Sequence, residues 1–119
     1  MKFVNLTDLL QVFANEYTSP GDNILIVCEN FVEEIKMLFN FINCETFFVS
    51  NKLSKGIDFV IVNNDLPFER HSFDIIVDLS NLNNFSNFLK KDGFLLTKSN
   101  CCEIFYELNE TNFTVLKKV

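Results

Sequence analysis

Tryptophan is absent from this sequence, and glycine, proline and histidine are scarce: three, two and one in 119 residues. With three scattered glycines there is no phosphate-cradling loop of the G-x-x-x-x-G-K type. With His71 as the lone histidine and no C-x-x-C spacing among Cys28, Cys44, Cys101 and Cys102, no compact zinc motif can be written, so no metal site is expected. No Ser–His–acid arrangement is suggested, and no catalytic residues are assigned. Basic residues are also few. Ten Lys and Arg face sixteen Asp and Glu, a net charge of −6, and none cluster, so nucleic acid is not an expected partner. No apolar run approaches the twenty or so residues that span a bilayer, so no membrane association is expected. No secretory n-region and h-region open the chain, which points to a cytoplasmic protein. In that reducing compartment the four cysteines are expected as small, mostly buried thiols. A vicinal Cys101–Cys102 disulfide is the alternative reading of that adjacent pair.

What the chain does contain is apolar residues, 48% against 22% charged. That is the balance of a folded domain rather than a disordered tail. Phenylalanine alone occurs 15 times. The Asn/Lys/Phe/Ile flavour is that of an AT-rich bacterial genome, a statement about codon supply. No repeat, low-complexity tract or Pro/Gly/Ser linker divides the sequence, so residues 1–119 are expected as a single domain, with 1–19 an N-terminal helix and 20–119 a sheet core.

Hydrophobic periodicity supplies the elements. Leu6, Leu9, Leu10, Phe13 and Tyr17 share one face of a helix over 6–17 that Asn5 or Thr7 can cap. Asn23–Cys28 is an uninterrupted apolar run, the pattern of a strand buried on both faces of a parallel sheet. Asn30 and Glu33 form a capping box for a second helix. Phe31, Ile35, Leu38, Phe39 and Ile42 line its inner side, with Glu33, Glu34 and Lys36 outward. Further strands are expected at 45–49, 57–62, 73–79, 94–98 and 113–118. A third helix is expected over 82–91, stopped by Asp92 and a left-handed Gly93 cap, and a short helix from Asn100 to about Leu108. Alternating strands and helices predict an α/β fold: one three-layer, Rossmann-like domain with a mostly parallel sheet of about six strands and helices on both faces.

Three stretches carry a resemblance: Asp65-Leu66-Pro67-Phe68, then Ser72-Phe73-Asp74-Ile75-Ile76-Val77, then Phe88-Leu89-Lys90-Lys91-Asp92-Gly93-Phe94-Leu95-Leu96. Together they resemble class I S-adenosylmethionine-dependent methyltransferases. In that family a Leu-Pro-Phe turn and a Ser-Phe-Asp entry precede one strand, and a helix ending in Leu-Lys-Pro-Gly-Gly precedes the next. The close part spans Ile57 to Lys98, about a third of the chain. The resemblance implies a Rossmann-like sheet and a cofactor held over the carboxyl ends of the first three strands.

The residues at those ends depart from the family pattern. The glycine-rich loop is replaced by Cys28-Glu29-Asn30-Phe31-Val32, where every Cβ blocks close approach of a ligand to the backbone. The acidic ribose ligand after the second strand is replaced by Ser50-Asn51, with Glu45 at the wrong end of that strand. After the third strand stand Asn63 and Asn64, with Asp65 one step further on. The expectation is a degenerate, truncated, methyltransferase-like module that binds or scaffolds without catalysis and without a cofactor, in a homo-oligomer or with a protein partner. The alternative is an S-adenosylmethionine-dependent methyltransferase with an atypical pocket formed by Cys28, Glu29, Asn30, Ser50, Asn51 and Asn64. A second alternative is a receiver-like signalling domain, since Ile24–Asn30 resembles the opening strand of response-regulator receivers. There Glu29 and Asp65 would be the available acids.

Three smaller readings complete the set. Glu29 and Asp78 could face one another at neighbouring strand ends as an acid–base pair, or be a solvated loop residue and a turn cap. His71, in the charged turn Glu69-Arg70-His71, is expected at the surface, away from the cleft. Phe41 and Phe68 are the aromatics expected to be exposed, and the last strand is expected at a sheet edge where it could pair across a dimer.

Overall fold

The computed structural model describes residues 6–28, 32–61, 66–79, 85–97, 106–108 and 113–118. In order these form α1 (Leu6–Tyr17), β1 (Asn23–Val27), α2 (Val32–Phe41), β2 (Glu45–Ser50), β3 (Phe59–Val60) and β4 (Phe73–Asp78). They continue with a single 3-10 turn (Ser86–Phe88), β5 (Leu89–Thr97), β6 (Tyr106–Leu108) and β7 (Phe113–Lys117). The strands make one seven-stranded sheet in the order β3-β2-β1-β4-β5-β7-β6. Pairings from β3 through β5 are parallel, and β7 runs antiparallel between β5 and β6. The α/β class and the mostly parallel sheet are as expected, with seven strands in place of six.

β1 lies at the centre of the parallel part, and its apolar run explains why. Leu25 and Val27 pack on one face while Ile24, Ile26 and Cys28 pack on the other, all at 2% exposure or less. Both described α-helices lie on the second of these faces. Leu10, Phe13 and Ala14 of α1 join Val32, Ile35 and Phe39 of α2 over Ile24, Ile26, Phe48, Ile75, Val77 and Leu96. Glu33 and Glu34 are exposed, as the helical period requires. Lys36 instead lays its ammonium 5.3 Å from the centre of the Phe48 ring. Thr7 lies inside α1 and is not its cap; Asn5, Asn30 and Phe31 lie outside the described residues. Cys28 and Cys44 are free, buried thiols, whereas Cys101 and Cys102 fall outside.

Among the described residues no α-helix lies on the opposite face. There the described cover is Leu66 and Phe68, Phe88 of the 3-10 turn and Phe85 just before it. Aromatic bulk does there what a helix does on the other side. Phe47, Phe59, Phe68 and Phe73 meet edge-on at centroid distances of 5.0–5.7 Å, a favoured aromatic geometry. Phe68 is therefore half-buried in this cluster rather than exposed.

The expected helix over 82–91 is also corrected. Residues 82–84 are outside the description, 86–88 form one 3-10 turn, and Leu89 already pairs with Phe73. Phe85, Phe88 and Leu89 are all buried. That spacing suits a helix face equally well, and pairing with β4 decides the outcome. Gly93 is no helix cap. Asp92 takes the left-handed conformation (φ 66°), and Gly93 sits inside β5 where a Cβ would lie 2.7 Å from the Asp74 carbonyl oxygen and 2.9 Å from that of Lys90. The span from Leu89 to Phe94 faces only Phe73 to Ile75, and this bulge presses the two backbones together.

The strand expected over 57–62 shortens to two residues. Asp58 delays its start, because its carboxylate accepts the Phe48 N–H at 2.8 Å, a ladder position that a neighbouring backbone would otherwise take. Tyr106–Leu108, expected as helix, is strand β6, with 100–105 outside the description. β6 occupies the edge, so β7 is an interior strand and is not available to pair across a dimer.

Candidate functional site

In open parallel sheets ligands bind outside the carboxyl ends of the strands where the strand order reverses direction. Here that point lies between β1 and β4, which flank one another although two strands separate them in sequence. The register fixes what stands at this end. Val27 is level with Val49 on one side and Asp78 on the other, and Asp78 is level with Thr97. One step further, the Cys28 N–H donates to the Val49 carbonyl at 3.2 Å and the Leu79 N–H to that of Val27 at 2.9 Å.

The buried polar side chains among the described residues are Ser50, Asp78 and Thr97. All three stand at the carboxyl ends of parallel strands. Side-chain alternation sorts them by face. Cys28 and Ser50 lie on the helix-bearing side, whereas Asp78 and Thr97 lie together on the other, beside Val27 and Val49. The sequence singled out Asp78 but missed Thr97. Its one signal was a hydroxyl closing the apolar run Phe94-Leu95-Leu96.

Cys28 and Ser50, expected as cofactor contacts, are brought together, yet each is only 2% exposed. Burial pushes the Cys28 thiol up to about 11, so it is neither a thiolate nor a ready donor to a ligand in neutral water. The Ser50 hydroxyl is engaged, accepting the Lys52 N–H at 3.2 Å. Asn51 is exposed in the bend that follows. Glu29, Asn30 and Asn64, together with Asp65, lie outside the described residues. The Glu29–Asp78 pairing is likewise outside, although Asp78 is buried at the expected strand end.

Val32, the first residue of α2, is 8% exposed and belongs to the same core cluster as Cys28. Val32 packs on Gly56 so closely that a Cβ on Gly56 would lie 2.7 Å from Val32 Cγ1. Gly56 holds φ +88°, a conformation that a side chain disfavours. The turn after β2 can thereby fold down onto the start of α2. Gly56 therefore receives a valine side chain.

His71 stands at the other end of β4, exposed at φ 58°, its N–H donating to the Asn87 carbonyl at 3.0 Å. It is remote from the carboxyl edge, as expected. Among the described residues no three His, Cys, Asp or Glu side chains converge. No known family model matches the chain, and no curated protein and no solved structure matches it.

Proposed function

We propose that this chain is a Rossmann-like, methyltransferase-like domain that works as a non-catalytic binding or scaffolding module. The observation that carries this reading is the Val32–Gly56 contact. A methyltransferase keeps glycine backbone open to its cofactor at the end of the first strand; here the segment from Cys28 to Val32 has no glycine, and its valine is buried against Gly56. The inward-turned Ser50, standing in place of an acidic ribose ligand, adds to it. The parallel order β3-β2-β1-β4-β5 is consistent with the mostly parallel, Rossmann-like sheet that the family resemblance implies.

The rival reading, an S-adenosylmethionine-dependent enzyme with an atypical pocket, draws support from Asp78, buried at the switch point, with Thr97 level with it on β5. The receiver-like reading fits less well. Receivers follow the flavodoxin-like order 2-1-3-4-5, whereas here β3 lies outside β2 and β7 is antiparallel.

Calorimetric and melting titrations with S-adenosylmethionine and S-adenosylhomocysteine decide between the first two. A ligand at a hundred times its Kd stabilises the fold by about 2.7 kcal/mol. The binding-module reading expects no heat and no shift at millimolar ligand. A saturable shift refutes it and establishes cofactor binding.

A further inference from the structure

We propose that the outer face of the α1–α2 pair is where two copies of this chain meet. This gives the binding-module reading its partner. It is tested by mass rather than by ligand, so the two can fail separately.

The turns that follow the two helices are tied together. The Gly21 N–H donates to the Asn43 carbonyl and the Glu45 N–H to that of Asp22, both at 2.9 Å. The helices therefore end side by side and run in the same direction. On their outer side they leave a cavity of about 570 Å³ between α1 residues such as Ala14 and α2 residues such as Met37 and Leu38. A smaller one of about 280 Å³ adjoins it and shares Ala14, Asn15, Phe41 and Ile42. Phe41 stands on the lip, 91% exposed, and Met37 is 73% exposed. A core-facing helix normally turns such residues inward, so their position marks a surface built to be covered. Knob and hole share one face, which is the requirement for an isologous two-fold contact in which each Phe41 enters the other copy's groove.

Charge selects the occupant. The protein carries a net −6, yet among the described residues Glu34 is the one charged side chain lining either cavity. A basic peptide would find a single partner there. The polar lining is otherwise mostly amide and hydroxyl, including Gln11, Asn15 and Asn43. Amides both donate and accept, so they complement themselves across a two-fold axis without repulsion. Depletion of charge with enrichment of Met and Phe is the composition of a homodimer core. Size sets the strength. Two helices of twelve and ten residues give a footprint about 15–18 Å long and about 20 Å wide. That is below the ~800 Å² per partner of a standard interface. The dimer is therefore weak, with a Kd above about 1 µM.

Sedimentation equilibrium from micromolar to millimolar protein tests this. The expected result is a concentration-dependent monomer–dimer equilibrium. Phe41→Glu should weaken it on the order of 100-fold or more, since two rings per dimer lose their burial. Leu53→Ser should leave it unchanged, because Leu53 is 83% exposed and lines neither cavity. Phe41 contributes little to the monomer's own core, so circular dichroism of Phe41→Glu should match the parent. A parent that stays monomeric at 1 mM overturns the proposal and leaves the face to a different protein. A dimer that survives Phe41→Glu, or that Leu53→Ser dissolves equally, overturns it too.

Discussion

Replacing Gly56 with alanine tests the contact on which the functional reading rests. Two costs act at once. A side chain at φ +88° meets left-handed strain of about 1–2 kcal/mol. The new Cβ, 2.7 Å from Val32 Cγ1, overpacks a filled site for about 1–3 kcal/mol more. Neither neighbour yields easily, because Val32 is stiff at χ1 and buried at 8%. Gly56→Ala should therefore cost about 3 kcal/mol, a fall of roughly 10 °C in Tm for a domain of this size. A double-mutant cycle separates the two costs. Val32→Ala alone should cost about 2 kcal/mol through the cavity it leaves. In the Gly56→Ala background it should cost about 1–2 kcal/mol less than that, because it removes the clash while leaving the backbone strain. Urea melts of the four proteins give the coupling. A Gly56→Ala cost under about 0.5 kcal/mol, or additivity within that margin, would refute the claim that Val32 occupies this space.

Two further predictions concern the same sheet. The Cys28 thiol lies at about 11 in the fold against an ordinary 9.0, so the folded state holds its proton more tightly. Its contribution is complete below pH 9 and is lost as pH rises toward 11, amounting to about 2 kcal/mol at pH 10.5. Urea melts at pH 8 and 10.5 should show a steeper loss for the parent than for Cys28→Ala; equal losses would contradict it. Gly93→Ala places a Cβ against two backbone carbonyl oxygens, at 2.7 and 2.9 Å, and should cost about 2–3 kcal/mol. An unchanged Tm would mean that the β4–β5 bulge can open freely.

The parts of the fold that were legible in the sequence are those that local chemistry settles. α1 and α2 follow from apolar spacing on one helical face, and β1, β2, β4 and β7 from dense apolar runs bounded by turn residues. The failures share a cause. Phe85, Phe88 and Leu89 have helical spacing, but whether that becomes a helix or the entry to a strand depends on β4 waiting alongside. Asp58 shortened β3 through a bond to a residue ten positions away. At the site, Cys28 and Ser50 were expected near one another and are. Val32 stood out in the sequence as a bulky residue of the loop, but its partner Gly56 did not, because their contact depends on how α2 seats against the turn after β2.

The sequence by itself determined that this is an α/β domain with a buried parallel core, for that follows from periodicity and composition, which act over a few residues at a time. Only the tertiary structure decided that both described helices share one face, that phenylalanines pack on the other, that β7 is interior, and that Val32 packs on Gly56. Each of these is a choice between faces or neighbours. A strand with apolar residues on both sides accepts either choice at the same local cost, so packing between distant segments makes the decision.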